Sequence, residues 1–306
     1  MSRTIAFPPT ALPFVDEQCH DRPVLRANAS TLVAIAGGLI ALKLLVLWLE
    51  PKVAFYPIRG VQETPALAGL PFVDVSVPTE DGETLHGWWL EDPQARAQVV
   101  FFHGNGGNLS LWLDVIVDMR RRGLSVLAID YRGYGGSTGR PSENGVYRDA
   151  AASIRLFGER MRKRGIPVIY WGRSLGSPVA AYAASRVAPD GVVLESPMPH
   201  ARALLTHNPI AWLLSFLSSY SFSTSKFVAT LDVPLLIVHG DGDELVPYDA
   251  GKRVYADAGT ARKTFVTIAG AGHNDLHATN PPVYWNAVDS FIAAAGAARA
   301  DKPADR

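Results

Sequence analysis

Val168-Ile169-Tyr170-Trp171 runs straight into Gly172-Arg173-Ser174-Leu175-Gly176, and an alanine-rich stretch, Pro178-Val179-Ala180-Ala181-Tyr182-Ala183-Ala184, follows. An apolar, partly β-branched run that stops at G-x-S-x-G and continues in helix formers reads as buried strand, sharp turn and helix. A serine on so tight a turn is strained, and its flanking glycines must lack a Cβ so that two backbones can pass closely. The turn lifts the serine hydroxyl off the sheet and aims the helix N-terminus at it. Pro178 falls in the first helical turn, where its missing N–H is not needed.

The same alternation recurs on both sides of that stretch. Phe72-Val73-Asp74-Val75-Ser76-Val77 alternates as a strand, Asp81-Gly82 signals a hairpin turn, and Thr84–Leu90 returns. Val99–Phe102, Val126–Ile129, Val192–Leu194, Leu235–Val238 and Phe265–Ile268 are short apolar strands, with helical stretches at 108–122, 143–164 and 281–297 between or after them. Continuous apolar strands are buried on both faces, as in a parallel sheet wrapped by helices. The expected fold class is therefore α/β, with the catalytic-type domain at 70–300. The interval 197–230 contains no strand but carries Leu204, Trp212, Leu213 and Phe216. It is too apolar for a solvated loop and too short for a large lid, so it reads as a short cap.

Residues 1–30 mix prolines, charges and polar residues without periodicity and read as a flexible tail, as do 301–306. Thr31–Leu49 is different: 19 residues with one charge, Lys43, and eleven Leu, Ile or Val. As a helix it reaches roughly 28 Å, the thickness of the hydrocarbon layer. Its eleven large aliphatics favour insertion by on the order of 5 kcal/mol, against about 3 kcal/mol for a central lysine that can snorkel. The expectation is a single-pass N-terminal transmembrane anchor at 31–49, joined by a linker at 50–69. Arg22 and Arg26 before the span balance Lys52 and Arg59 after it, so the side of the membrane stays open.

Lys+Arg and Asp+Glu both number 29, which predicts no basic face for nucleic acid. The one cysteine, Cys19, allows neither a disulfide framework nor a cysteine metal site.

In an open α/β sheet, functional groups gather at the carboxyl ends of the strands. A nucleophilic serine needs a base, an acid to orient it and an oxyanion hole. The base expected is His273, in Gly270-Ala271-Gly272-His273 after the last strand, with His277 the competitor. The acid expected is Asp243, in His239-Gly240-Asp241-Gly242-Asp243; Asp241 and, more distantly, Glu195 are alternatives. The two oxyanion N–H groups expected are those of Leu175 and of Asn105, in the loop His103-Gly104-Asn105-Gly106-Gly107-Asn108. His103 reads as structural. Leu204, Trp212, Leu213, Phe216 and Tyr134 are the expected pocket residues. Gly104-Asn105-Gly106 with Asp130 at the next strand end mimics a dinucleotide site, but Leu109 stands where its third glycine belongs. The Asp130–Ser137 loop reads as a turn bordering the pocket. No metal or cofactor is required.

Together, His103–Asn108, Asp130-Tyr131-Arg132-Gly133-Tyr134-Gly135 and Gly172–Gly176 resemble the α/β-hydrolase superfamily over about residues 70–297. They are most similar to its short-capped, often N-terminally membrane-anchored group, which includes protein depalmitoylases and lysophospholipid lipases. The resemblance implies a sheet of about eight strands with the second antiparallel, and the order Ser174, Asp243, His273. The expected function is hydrolysis of carboxylic esters or thioesters of an amphiphilic acyl substrate or an acylated protein, at a lipid bilayer. A short-chain carboxylesterase, a peptidase or amidase, and a non-catalytic membrane-tethered scaffold are the alternatives.

Overall fold

The computed structural model describes residues 28–205 and 208–300. The tails expected at 1–30 and 301–306 lie outside these residues, except for 28–30, where a helix already begins. The chain divides at Leu42 into an N-terminal unit and the body from Lys43 onward.

Helix α1 (Ala29–Ala54) is apolar along most of its length, with Lys43, Glu50 and Lys52 as its charged residues. It leads into β1 (Tyr56–Pro57), β2 (Val73–Pro78), β3 (Thr84–Leu90), β4 (Ala97–Phe102) and β5 (Gly106–Gly107). Then come α2 (Leu113–Arg121), β6 (Leu124–Ile129), α3 (Glu143–Lys163), β7 (Val168–Arg173), α4 (Gly176–Arg186) and β8 (Gly191–Glu195). The cap carries α5 (Pro209–Leu214) and α6 (Thr224–Val228). The chain closes with β9 (Leu235–Gly240), α7 (Tyr248–Asp257), β10 (Lys263–Ile268), α8 (Leu276–Thr279) and α9 (Pro281–Ala300).

Eight strands form one sheet in the order β10-β9-β8-β7-β4-β6-β3-β2. Only β3, the second of the eight, runs against both its neighbours, β2 and β6; every other pairing apart from these two is parallel. The sheet is buried on both faces. Along β4, Val100 and Phe102 enter a core with α3 and α4, while Val99 and Phe101 enter the opposite core with α2 and α9. That is the two-residue period of a pleated strand between two helical layers.

The expected linker at 50–69 is corrected. Residues 50–54 are the last turn and a half of α1, and β1 pairs in parallel with β5, next to the Asn105 loop. A further bridge joins Arg59 to Gly135. Phe55 is buried and packs edge-on against Tyr220 and Phe222 of the cap. A prolyl and aromatic sequence that lacks periodicity looks like a spacer, but here its backbone finds partners on the site loops.

Candidate active site

β7 lies near the middle of the sheet, with Gly172 paired between Phe102 of β4 and Leu194 of β8. The strand ends at Arg173, α4 starts at Gly176, and Ser174 sits between them with φ of +52°. That left-handed conformation is uncommon for a residue with a side chain and marks a site held in place by its surroundings. The glycines explain how it is held. A Cβ on Gly172 would lie 2.2 Å from the Gly176 carbonyl oxygen, and one on Gly176 would lie 1.9 Å from the Phe102 carbonyl oxygen. The Ser174 N–H donates to the Glu195 carbonyl at 2.9 Å, which ties the turn to the end of β8.

The loops after β9 and β10 bring two side chains to this turn. His273 places Nε2 3.0 Å from the Ser174 Oγ, and its Nδ1 lies 2.8 Å and 3.1 Å from the two Asp243 carboxylate oxygens. His273 and Asp243 are both buried. Asp243 also accepts from the backbone N–H groups of Leu245 and Val246 at 3.0 and 2.8 Å. Its second carboxylate oxygen is 3.3 Å from Nε2 of the buried His239. Burial by itself would raise the Asp243 carboxyl, but the hydrogen bonds from His239 and His273 outweigh it and hold the group well below the usual carboxylate range. A carboxylate pinned ionised on Nδ1 fixes that nitrogen as the donor, so Nε2 presents its lone pair to the serine.

The alternatives are placed elsewhere. The Asp241 carboxylate accepts from the Gly270 N–H at 2.6 Å and caps the loop after β10. Glu195 is fully buried behind the elbow, where it accepts from Trp171 Nε1 and the Tyr284 hydroxyl. His277 packs its ring against Tyr284. His103 is buried, with Nδ1 2.7 Å from the Gly104 carbonyl and its ring against Tyr131; burial lowers its pKa and keeps it neutral. Asp130 accepts from the Leu109 N–H at 2.9 Å and lies 3.4 Å from His86, so its carboxylate is committed to the fold rather than to a ribose. Among the described residues, no group of three or more His, Cys, Asp or Glu side chains could hold a metal ion.

Ser174, Leu175 and Asn105 line one cavity of about 470 Å³. Neither the Leu175 nor the Asn105 backbone N–H donates a hydrogen bond to a described residue. The Asn105 side chain is occupied in another way: its Nδ2 donates to the Ala54 carbonyl at 2.8 Å, and its Oδ1 accepts from the Tyr134 hydroxyl at 2.9 Å. Tyr134 is buried and does not line the cavity. It braces the Asn105 loop instead of bordering substrate, which corrects its expected place.

The cap residues are corrected too. Leu204 lines the cavity, but Trp212, Leu213 and Phe216 do not. α5 presents Ala211 and Leu214 to the cavity, and a 3.6-residue period turns the two residues between them outward. The opposite wall comes from Val46, Leu49, Glu50, Val53 and Ala54 of α1. Sequence reasoning missed this wall, because an apolar helix carries no sign of which face it buries. It also missed His239 and Arg173. The first was signalled by a polar side chain inside an apolar strand. Arg173 is buried, donates from Nη2 to the His273 carbonyl at 3.1 Å and lies 3.7 Å from Glu195, a strut between the elbow and the histidine loop.

An eight-stranded, mostly parallel sheet with a strained serine at the end of a central strand defines an α/β hydrolase. Residues 93–227 and 211–280 match the family described as serine aminopeptidase, S33, and the chain belongs to that family of hydrolases. It is 31% identical over 272 residues to an uncharacterized protein of Mycobacterium tuberculosis, covering 87% of this chain and 96% of that one. It is 29% identical over 220 residues to the lysophosphatidylserine lipase ABHD12 of Macaca fascicularis, covering 64% of this chain and 55% of that protein. The fold is similar to that of a Pyrococcus furiosus esterase, with a TM-score of 0.66 at 23% identity over 79% of this chain and 98% of the other.

Proposed function

We propose that this protein is a membrane-anchored serine hydrolase that cleaves ester or thioester bonds of amphiphilic acyl substrates. The observation that carries the reading is the unbroken line Asp243–His273–Ser174 opening onto an apolar cavity. His273 takes the Ser174 proton as Oγ attacks the acyl carbon, while Asp243 holds the imidazole in the required tautomer. The Leu175 and Asn105 N–H groups stabilise the oxyanion. His273 then gives the proton to the leaving alcohol or thiol. Water, deprotonated by the same imidazole, releases the acyl group from Ser174. The lipase activity in the name of the ABHD12 relative belongs to that protein and lends support to a lipid substrate here.

Kinetics with p-nitrophenyl esters from acetate to palmitate test the substrate class. Each methylene fully buried in the cavity is worth about 0.8 kcal/mol, or up to about fourfold in kcat/KM. The expected profile climbs over the first several carbons. A maximum at two to four carbons, with no turnover of micellar lysolipids or palmitoyl thioesters, would retire the lipid reading in favour of a short-chain esterase. Aminoacyl amides in the same panel test the peptidase alternative.

The anchor reading rests on α1, whose length and hydropathy suit a bilayer. Full-length protein is expected to stay in the membrane pellet after alkaline carbonate washing; recovery in the supernatant would contradict it. Removal of residues 1–52 would also strip Val46, Leu49 and Glu50 from the cavity. Removal of 1–42 leaves that wall whole, so only the shorter deletion is expected to keep its rate on short soluble esters.

A further inference from the structure

Residues 209–217, Pro-Ile-Ala-Trp-Leu-Leu-Ser-Phe-Leu, carry no charge. With Ala211 and Leu214 turned to the cavity, the outer side of this segment shows Ile210 72%, Leu213 64%, Phe216 54% and Trp212 41% exposed. Single exposed apolar residues are ordinary, but four large ones within seven positions form a patch of the kind that marks an interaction surface. The segment is not a frayed loop. Asn208 caps α5 by accepting from the Ala211 N–H, and Trp212 packs edge-on against Phe216.

The patch continues onto α1. Lys43 donates to the Leu217 carbonyl, and the Glu50 carboxylate accepts from the N–H and hydroxyl of Ser219. These bonds fasten the cap along the last three turns of the helix, where Leu44, Leu45 and Trp48 are exposed and do not line the cavity. Lys52 lies 3.2 Å over the Trp48 ring, and the Arg202 guanidinium lies 4.1 Å from the Phe216 ring. An indole with a basic group beside it, as at Trp48 and Lys52, is the pattern of a membrane–water boundary.

We propose that the cap segment 209–217 and the last turns of α1 form one lipid-facing surface, which seats the cap in the bilayer interface. Acyl chains then reach Ser174 sideways from the lipid. The proposal rests on the anchor and hydrolase readings above and narrows the substrate to amphiphiles already resident in the membrane. Two features favour lipid over a protein partner. About 20 helical residues cross the hydrocarbon layer, so a span that starts at Ala29 ends near Trp48, within the stretch to which the cap is bonded. And Lys43, the one charge in the span, does not need to snorkel: the cap supplies its acceptor at that depth.

The test uses the full-length chain in phosphatidylcholine vesicles, with Cys19→Ser removing the one native cysteine. Single cysteines at Ile210 and Leu213, with Glu159→Cys as the exposed control, carry an NBD label. At 210 and 213 the label should be quenched at least threefold more by acyl-chain nitroxide lipids than at 159, and reduced by aqueous dithionite at least tenfold more slowly. Equal behaviour at all three positions would overturn the proposal. So would shielding from both quenchers, which would assign the face to a second copy of the chain. This arm needs no turnover, so it reads out even if the hydrolase reading fails. In the activity arm, Ile210→Glu and Leu213→Glu should lower hydrolysis of vesicle-held p-nitrophenyl palmitate at least tenfold and leave p-nitrophenyl acetate within twofold. No loss on the palmitate, or equal losses on both esters, would overturn it.

Discussion

Ser174→Ala is expected to abolish turnover, with kcat down by about 10⁵-fold or more and the fold intact. The magnitude follows from how a triad works as a unit: without the nucleophile, the base and the acid have nothing to act on, and only the oxyanion donors and binding remain. Alanine fits the turn, since Ser174 already adopts its strained φ and, among the described residues, its hydroxyl bonds to His273 alone. Loss of activity without loss of thermal stability is therefore the expected pair of results. Steady-state kinetics and a melting curve on the same preparation read both. Retention of a tenth of the wild-type rate would show that another group attacks the acyl carbon.

Asp243→Asn is expected to lower kcat by about 10⁴-fold, because an amide can donate to Nδ1 and so stabilise the wrong imidazole tautomer. Asp241→Asn should change kcat by no more than a few-fold, since among the described residues that carboxylate accepts from the Gly270 N–H alone. The reverse ranking would place the orienting acid two residues earlier. The same carboxylate makes a statement about pH. Its pKa is depressed in the folded state, held down by His239 and His273 against the cost of burial. The stability this group contributes is therefore full above its unfolded value of about 3.9 and is lost only as the pH falls towards the depressed value. It stays ionised across the working range of a histidine base. The acid limb of log kcat/KM against pH is accordingly expected to have unit slope; a slope of two above pH 4 would mean that Asp243 takes up a proton there.

The sheet could be read from the chain because parallel strands buried on both faces have to be apolar at nearly every position, and β4, β6, β7, β8 and β9 are. The elbow was readable for a steric reason: Gly172 and Gly176 stand where a Cβ would strike backbone carbonyls. Asp243 and His273 could be picked out because they stand in the loops after β9 and β10, where a parallel sheet opens its crevice. The cavity was not readable in the same way. Trp212 and Leu213 differ from Ala211 and Leu214 only in phase along a six-residue helix, too short for a period to show in sequence. Nor does composition record that Asn105, chosen for its backbone, spends its side chain holding Ala54 and Tyr134. Both are long-range facts, set by which segments meet rather than by what each prefers alone.

Peptide mapping of the protein after reaction with a fluorophosphonate probe tests most directly whether Ser174 is the nucleophile. One covalent adduct is expected, on Ser174, absent from Ser174→Ala and formed far more slowly in His273→Ala. A chain that takes up no probe, or carries it on another residue, would contradict it.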